Sequence, residues 1–198
     1  MIRYAITDSS ELAEGAGALR GEVLRWASQG VDFIQVREKR LAAGELASLG
    51  RELLEAVRGV PGSRAKVLIN SRADVAVAIG ADGVHLTSAV GELRPEQVRR
   101  LYEICGLPSP VVSASVHTLE QVEAAVLAGV DLMLFGPLFG KTVRGGEVVR
   151  GVGLEVLRAA CLRAGGVPVL ALGGVTDGNV AECLAVGAAG FAGIRAFL

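Results

Sequence analysis

The amino-acid sequence predicts an α/β fold, a (β/α)8 TIM barrel whose eighth helix is short or missing. Short apolar segments rich in β-branched residues alternate along the chain with longer segments of helical periodicity. Near-continuous apolar strands separated by helices are typical of a parallel sheet that helices cover. Eight strand candidates within 198 residues fit a closed barrel better than a doubly wound sheet.

The elements follow one another in a regular order. The strand candidates are Arg3–Thr7, Phe33–Arg37, Lys66–Asn70, Gly83–Leu86, Val111–Ser115, Leu132–Gly136, Val169–Gly173 and Gly190–Gly193. The helix candidates are Gly21–Gln29, Ala43–Arg58, Ala73–Ile79, Pro95–Ile104, Leu119–Ala128, Gly153–Ala164 and Asp177–Val186. No linker or low-complexity segment interrupts this order, so we expect a single domain over residues 1–198.

A recurring phrase supports the barrel. It appears as QGVDFIQ (Gln29–Gln35), IGADGVHL (Ile79–Leu86), AGVDLMLFG (Ala128–Gly136) and VGAAGFAGI (Val186–Ile194). In each copy a helix ends in glycine, and a small or acidic pair then leads into a strand. Glycine adopts the left-handed conformation that stops a helix without steric cost. Recurrence at about 50 residues corresponds to two βα units per period.

The end of the sequence departs from the regular barrel. After the eighth strand only Ile194–Leu198 remain, which is too short for a full helix. We therefore expect the groove between the first and seventh helices to be uncovered. Either a second copy of the chain covers it in a homodimer, or a C-terminal tail is missing from this sequence.

The composition argues against several classes of partner. Lys and Arg number 20 against 21 Asp and Glu, so neither nucleic acid nor an anionic membrane is expected as the main partner. No apolar run reaches the roughly 20 residues of a spanning helix, and the N-terminus lacks a signal-peptide pattern. Cys105, Cys161 and Cys183 lie far apart without metal-ligand spacing. A cytoplasmic protein with free thiols is the prediction.

Ligands of a TIM barrel bind at the carboxyl ends of its strands, so the candidate site residues are those at the strand ends. The stretch Val111–His117, VVSASVH, ends there with Ser113, Ser115 and His117. His85 closes the fourth strand, where it either contacts ligand or hydrogen-bonds within the barrel mouth. The other candidates at these ends are Thr7, Asp8, Gln35, Arg37, Lys39, Asn70, Arg72, Thr87, Gly136, Pro137, Gly173, Gly174, Gly193, Ile194 and Arg195.

Two glycine turns indicate a phosphate site. Gly173 and Gly174 follow the seventh strand, and Gly193 with Ile194 ends the eighth. Backbone without side chains can approach an anion closely and point its N–H groups at it. The alternative is that these glycines only ease tight turns. The loop Phe139–Gly151, FGKTVRGGEVVRG, is interpreted as a mobile lid over an anionic substrate or as a plain surface loop.

Seven segments, in this order, resemble the thiamine phosphate synthase superfamily, which also contains the thiazole tautomerases. They are YAITD (Tyr4–Asp8), IQVREK (Ile34–Lys39), LINSR (Leu68–Arg72), GADGVHL (Gly80–Leu86), SVHTLEQ (Ser115–Gln121), FGPLF (Phe135–Phe139) and LALGGVTDGNV (Leu170–Val180). The resemblance implies a TIM barrel, a phosphorylated thiazole ligand and a role in thiamine biosynthesis.

The two branches of this superfamily differ in their need for metal. The synthases join hydroxymethylpyrimidine diphosphate to thiazole phosphate and use Mg²⁺ to hold the leaving pyrophosphate. Their third-strand motif ends Asn-Asp, and their fourth-strand motif continues through Gly-Gln to acidic residues. Here the corresponding positions are Asn70-Ser71 and Leu86–Val90, and Lys141–Arg144 departs from the synthase Thr-x-Thr-Lys lid pattern. Both metal carboxylates are therefore expected to be absent.

These departures favour the tautomerase branch, which aromatises a carboxythiazole phosphate by proton transfer and needs no metal or other cofactor. The resemblance assigns the acid/base role to His117 of the SVH phrase. The resemblance also implies that the phosphate is bound by Gly173, Gly174, Gly193 and Ile194. The substrate carboxylate would be neutralised by Arg37 or Lys39. Ser115 and Gly136 complete the expected substrate site.

Other residues favour a divergent, Mg²⁺-dependent synthase. Gln35, Arg37, Lys39 and Asn70 match the synthase site for the pyrimidine and the pyrophosphate. A third alternative is a homologue that binds thiazole phosphate without catalysis or acts in regulation. The sequence-based prediction is the metal-independent tautomerase.

Overall fold

The computed structural model describes residues 1–12, 16–142 and 148–198. Its strands are β1 Ile2–Ile6, β2 Phe33–Val36, β3 Lys66–Asn70, β4 Gly83–Leu86, β5 Val111–Val116, β6 Leu132–Phe135, β7 Lys141–Thr142, β8 Val148–Val149, β9 Val169–Leu172 and β10 Gly190–Gly193. Its α-helices are α1 Ala16–Ser28, α2 Ala43–Arg58, α3 Ala73–Ile79, α4 Pro95–Ile104, α5 Leu119–Ala128, α6 Leu154–Arg163 and α7 Val180–Ala185.

Eight of these strands form a closed barrel in the order β1-β10-β9-β6-β5-β4-β3-β2, and every pairing in it is parallel. The helices α1 to α7 lie between successive strands. The predicted (β/α)8 barrel is therefore confirmed. The short strands β7 and β8 form an antiparallel hairpin between β6 and α6, which the sequence did not predict.

Local signals explain the helix boundaries that the sequence predicted. The Thr118 side chain accepts a hydrogen bond from the Gln121 backbone N–H at 3.3 Å and so caps α5. Gly129 ends the same helix at φ 77°, in the left-handed region where glycine carries no steric penalty. Helices α2 to α5 have the predicted limits.

Three helices differ from the prediction, and α6 is the least changed, being one residue shorter at each end than the predicted Gly153–Ala164. Helix α1 begins at Ala16 rather than Gly21, because Gly17 and Gly21 lie on its exposed face while Leu19 and Val23 are buried. Burial of that apolar face outweighs the helix-breaking tendency of the glycines. Helix α7 begins at Val180 rather than Asp177, since the residues before it form a turn. In that turn the Asn179 side chain accepts a hydrogen bond from the Thr176 N–H at 2.8 Å.

The core has two layers. Tyr4, Ile6, Leu68, Leu134 and Leu170 belong to the cluster that fills the barrel interior. A larger cluster packs between the outer face of the sheet and the helices. The buried polar side chains Thr7, Gln35, His85 and Ser113 lie on the barrel strands or directly after them. Because a buried polar group is costly unless it is paired, these four residues indicate where the barrel interior becomes a polar site.

The eighth helix is reduced to a single 3-10 turn, Arg195–Phe197, as predicted. Phe197 is buried against the groove that was expected to be uncovered: its ring stacks on Phe191 at 5.2 Å, and its carbonyl accepts the Trp26 indole N–H at 2.8 Å. A cavity of about 490 Å³, lined in part by Asp177 and Val180, remains beside it. Across the described ranges, no helix combines the length and the apolarity needed to cross a membrane.

Candidate active site

The carboxyl ends of the barrel strands form one face, here called the barrel mouth, where most of the predicted site residues meet. A chain of hydrogen bonds runs across it from β2 to the segment after β4. Gln35 donates from Nε2 to Asn70 Oδ1 at 2.8 Å, and Asn70 donates from Nδ2 to Ser71 Oγ at 3.4 Å. Ser71 in turn donates to Glu92 Oε2 at 2.9 Å. The buried Gln35 Oε1 has no hydrogen-bond partner among the described residues, which leaves an acceptor available to a ligand.

Glu92 also lies at the mouth, although it was not among the predicted site residues. Besides Ser71, both the backbone N–H and the hydroxyl of Thr87 donate to its Oε2, at 2.8 and 2.6 Å. Glu92 lies well beyond the end of β4 in the chain, so only the path of the loop returns its carboxylate to the mouth. A carboxylate within a loop, just before the start of α4 at Pro95, was the only sequence signal for it.

Arg37 and Lys39 supply positive charge just beyond β2. The Arg37 guanidinium donates to Asp8 Oδ2 at 3.3 Å, and its backbone N–H donates to Thr7 Oγ1 at 2.9 Å. Burial opposes ionisation of Asp8, but hydrogen bonds from Ser10 and the charge of Arg37 outweigh it and lower the pKa of the carboxyl. Lys39 is exposed. Both cations are therefore placed to meet an anionic ligand.

The carboxylate between these two cations is structural. Glu38 accepts hydrogen bonds from the hydroxyls of Thr7 at 2.7 Å and Ser9 at 2.6 Å. It thereby ties the segment after β2 to the segment after β1. This contact fixes the backbone that carries Arg37 and Lys39.

His85 belongs to a buried network inside the mouth rather than to its open surface. Its Nδ1 lies 2.9 Å from Ser113 Oγ and its Nε2 lies 2.8 Å from Ser115 Oγ, while the Tyr4 hydroxyl lies 3.0 Å from Ser113 Oγ. Burial, reinforced by the positive charge of Arg37, lowers the pKa of His85 to about 3. Of the two roles open to His85, the structure shows the hydrogen bonding within the mouth. A neutral imidazole here orients Ser115.

Acidification is expected to destabilise the fold through His85. The folded chain keeps the imidazole neutral down to its pKa of about 3, whereas the unfolded chain takes up the proton near 6.5. Between these values the unfolded state binds more protons, so the free energy of unfolding falls as pH decreases, by up to about 1.4 kcal/mol per pH unit from this group. Urea titrations of the wild type and His85→Gln between about pH 7 and pH 5 measure this contribution. An equal pH dependence in both proteins would contradict it.

His117 lies at the end of β5 and is exposed. Its Nδ1 contacts the Gly136 carbonyl oxygen, and its Nε2 lies 3.1 Å from Ser88 Oγ. Its backbone N–H donates to the Gln121 side chain at 2.7 Å. Both ring nitrogens thus connect segments of the mouth, the one after β4 and the one after β6.

The two glycine turns lie where the sequence predicted. Gly173 and Gly174 have φ values of 93° and 70°, and a Cβ at these positions would approach Pro137 Cα at 2.9 Å and Phe139 Cβ at 2.8 Å. Within the described residues, the N–H groups of Gly173, Gly174 and Ile194 donate no hydrogen bond. Gly193 ends β10 beside them. Strain and crowding both exclude larger residues at Gly173 and Gly174, and the backbone donors remain available to an anion.

Other predicted residues take part less directly. Gly136 is buried and is joined to Pro137 by a cis peptide bond. Arg72 pairs with Asp74 at 2.6 Å and Arg195 with Glu11 at 2.9 Å, both on exposed surface. In the predicted lid Phe139–Gly151, residues 143–147 lie outside the described residues.

The oxygen atoms of this site suit a hard cation only in part. In the described ranges, no group of three or more His, Cys, Asp or Glu side chains could hold a metal. Mg²⁺ commonly needs only one or two carboxylates, with phosphate oxygens of the substrate and water completing its shell. One carboxylate, Glu92, lies at the mouth with its Oε1 free of hydrogen bonds within the described chain. The donor set therefore fits Mg²⁺ that binds together with a phosphorylated substrate.

A closed parallel barrel with cations, an orphaned amide acceptor and open backbone N–H groups at its mouth defines the class as a (β/α)8-barrel enzyme. The family model described as thiamine monophosphate synthase matches residues 3–197. The chain is 38% identical to the thiamine-phosphate synthase of Methanoregula boonei, over 98% of this chain and 83% of that protein. It is 36% identical to the thiamine-phosphate synthase of Roseiflexus sp., over 100% of this chain and 78% of that protein.

A solved structure agrees with these relatives. The thiamine phosphate pyrophosphorylase from Pyrococcus furiosus superposes with a TM-score of 0.76 at 31% identity, covering 98% of this chain and 85% of that one. The chain belongs to the thiamine monophosphate synthase family, and it is an enzyme of thiamine biosynthesis.

The predicted thiazole tautomerase activity is wrong. The relatives that match over nearly the full chain are named thiamine-phosphate synthases, and the tautomerase branch is not confirmed. The proton-transfer role of His117 was predicted only as part of that activity. The prediction rested on carboxylates missing at fixed sequence positions, whereas the fold brings Glu92 to the same region from farther along the chain.

Proposed function

We propose that this enzyme is a thiamine-phosphate synthase, which joins hydroxymethylpyrimidine diphosphate to thiazole phosphate and releases pyrophosphate. The observation that supports it best is the row from Gln35 to Glu92, which begins at an unpaired buried acceptor on β2 and ends at a carboxylate on the segment after β4. A heterocycle with N–H donors at one end and a diphosphate at the other complements that row. The similarity to synthases over nearly the whole chain supports the same reaction.

In the proposed complex, the pyrimidine lies over Gln35 and Asn70. Gln35 Oε1 accepts a hydrogen bond from a ring substituent, which removes the desolvation cost of a buried unpaired acceptor. Arg37 and Lys39 contact the diphosphate, and Arg37 can do so with two parallel N–H donors. Ser115, held by His85, and the backbone at Gly136 border the reacting rings.

The thiazole phosphate occupies the opposite side of the mouth. Its phosphate accepts hydrogen bonds from the N–H groups of Gly173, Gly174 and Ile194, with Gly193 beside them. This arrangement directs the thiazole nitrogen at the methylene carbon of the pyrimidine. The carbon–nitrogen bond forms as the carbon–oxygen bond to the diphosphate breaks. Because the enzyme holds both rings close together and in line, the activation free energy of this step is lowered.

Mg²⁺, when bound, neutralises charge that develops on the leaving pyrophosphate. Among the chain's own residues, Arg37 stabilises the charge on the leaving pyrophosphate. Asp8 already orients the Arg37 guanidinium before the substrate binds. Preorganised donors of this kind stabilise a developing anion without further reorganisation.

The test is direct synthesis. The full chain, supplied with both substrates and Mg²⁺, is expected to form thiamine phosphate and to release an equal amount of pyrophosphate, and chelation of the metal is expected to stop the reaction. Product is measured by chromatography after conversion to a fluorescent derivative. Absence of product above the level without enzyme, with a correctly folded protein and both substrates intact, would overturn the proposal.

A further inference from the structure

The geometry points to Glu92 as the carboxylate that binds Mg²⁺ against the pyrophosphate in this chain. It takes the place of both carboxylates that the family resemblance leads us to expect at Ser71 and in the stretch Leu86–Val90. This inference rests on the proposed synthase function. It accounts for a synthase site in which the expected acidic positions hold a serine and a run without any acid.

The Glu92 carboxylate lies next to the residue at the first expected acidic position. Glu92 Oε2 accepts hydrogen bonds from Ser71 Oγ at 2.9 Å and from Thr87 Oγ1 at 2.6 Å. Ser71 is the residue that stands where the third-strand carboxylate is expected, and Thr87 begins the altered fourth-strand motif. The negative charge therefore lies beside the first expected position, Ser71, and beside the start of the altered fourth-strand motif, although it comes from a later residue.

Among the described residues, the hydrogen bonds to Glu92 engage only one of its two carboxylate oxygens. All three donors, the two hydroxyls and the Thr87 backbone N–H at 2.8 Å, converge on Oε2. They fix the orientation of the carboxylate, as partners of metal ligands generally do. Within the described residues Oε1 receives no hydrogen bond, so its lone pairs remain for a cation. A single monodentate carboxylate is sufficient for Mg²⁺ when substrate phosphates complete its shell.

The donors in the hydrogen-bond row all point in the same direction. Gln35 donates to Asn70, Asn70 to Ser71 and Ser71 to Glu92, so every donor points towards the carboxylate. The row links the proposed pyrimidine position to the metal position. Donors aligned in this way reinforce one another's polarity and stabilise the negative end of the row.

A purely structural role for Glu92, as a contact that shapes the loop before α4, makes a different prediction. In that case Glu92→Gln changes only stability, because the amide oxygen still accepts from Thr87 while the charge is lost. Metal binding would not change. Direct measurement of metal affinity therefore separates the two roles.

The experiment titrates Mn²⁺, a paramagnetic substitute for Mg²⁺, into the full chain in the presence of pyrophosphate and follows free Mn²⁺ by electron paramagnetic resonance. Glu92→Gln is expected to weaken Mn²⁺ binding by about tenfold or more. The matched control is Glu96→Gln, since Glu96 is an exposed residue of α4 that pairs with Arg94. Glu96→Gln is expected to bind Mn²⁺ as the wild type does. Circular dichroism verifies that each variant is folded.

A second variant returns a carboxylate to the expected position. Ser71 adopts φ 58°, a left-handed conformation that aspartate tolerates better than most residues. Ser71→Asp in the Glu92→Gln background is therefore expected to regain part of the Mn²⁺ affinity. Wild-type affinity in Glu92→Gln would overturn the inference. Thiamine phosphate formation is measured separately, so failure of the synthase proposal is recognised by missing product and failure of this inference by unchanged metal binding.

Discussion

Replacement of Arg37 by alanine is expected to lower kcat for thiamine phosphate formation by about 10²–10³-fold, the usual cost of removing a preorganised donor from a developing anion. The Arg37 side chain is about a quarter exposed, at 26%, and is held by Asp8, so it is oriented towards the mouth before substrate binds. Its charge also contributes, after burial, to the lowered pKa of His85 inside the mouth.

The fold should survive this substitution. The hydrogen bond from residue 37 to Thr7 uses the backbone N–H and persists in any variant, and the partly exposed pair with Asp8 contributes only about 0–1 kcal/mol. Arg37→Lys keeps the charge but loses the planar pair of donors, so an intermediate rate is expected.

Steady-state kinetics with both substrates measure these effects, and Arg40→Ala is the matched control. Arg40 is exposed and lies just beyond the site, so its removal should leave kcat within about twofold of the wild type. Near-normal turnover in Arg37→Ala would remove Arg37 from the proposed diphosphate site.

Replacement of Trp26 by alanine is expected to lower the free energy of unfolding by about 3–5 kcal/mol, the range for deletion of a buried large aromatic side chain. Trp26 is 1% exposed, its ring contacts Phe197 edge-on at 6.2 Å, and its N–H donates to the Phe197 carbonyl. The substitution thus leaves a cavity and releases the turn that stands in for the eighth helix. Such a loss is a large share of the free energy of unfolding of a typical protein, which is about 5–15 kcal/mol.

Urea unfolding followed by far-ultraviolet circular dichroism measures this loss, because Trp26 is the chain's single tryptophan and its fluorescence disappears with it. Trp26→Phe keeps most of the packing and loses the hydrogen bond, so a smaller loss is expected. Leu127→Ala, at a position 89% exposed on α5, should change stability by no more than about 0.5 kcal/mol. A loss in Trp26→Ala as small as that of the control would show that the C-terminal turn does not depend on this contact.

The barrel was predictable because its signals are local. Strand and helix periodicity, the Thr118 cap and the glycine helix stops each depend on a few neighbouring residues, and helices α2 to α5 have the limits that these signals predicted. Helix α1 shows where local reasoning fails: its predicted start was Gly21, and burial of Leu19 extends it back to Ala16 despite two glycines. Tertiary packing outweighs a propensity cost of about 1 kcal/mol per glycine.

The branch of the family was not predictable in the same way. The sequence lacks acid at Ser71 and in Leu86–Val90, and comparison by position led to a tautomerase without metal. The interactions of a carboxylate depend on its position in three dimensions. Glu92 lies beside Ser71 and Thr87 because the segment after β4 folds back towards them. The path of this loop cannot be predicted from periodicity or from a sequence motif.

The sequence by itself determined the eightfold alternation of strand and helix, the shortened end of the barrel, the glycine turns and the polar residues at the strand ends, because each is set by short-range pattern. Only the tertiary structure decided which of those residues touch. It buried His85 within a network, gave both nitrogens of His117 partners, and brought Glu92 to the mouth. Hydrogen bonds and charges act over a few ångströms of space, whatever the number of residues that separates the partners in the chain.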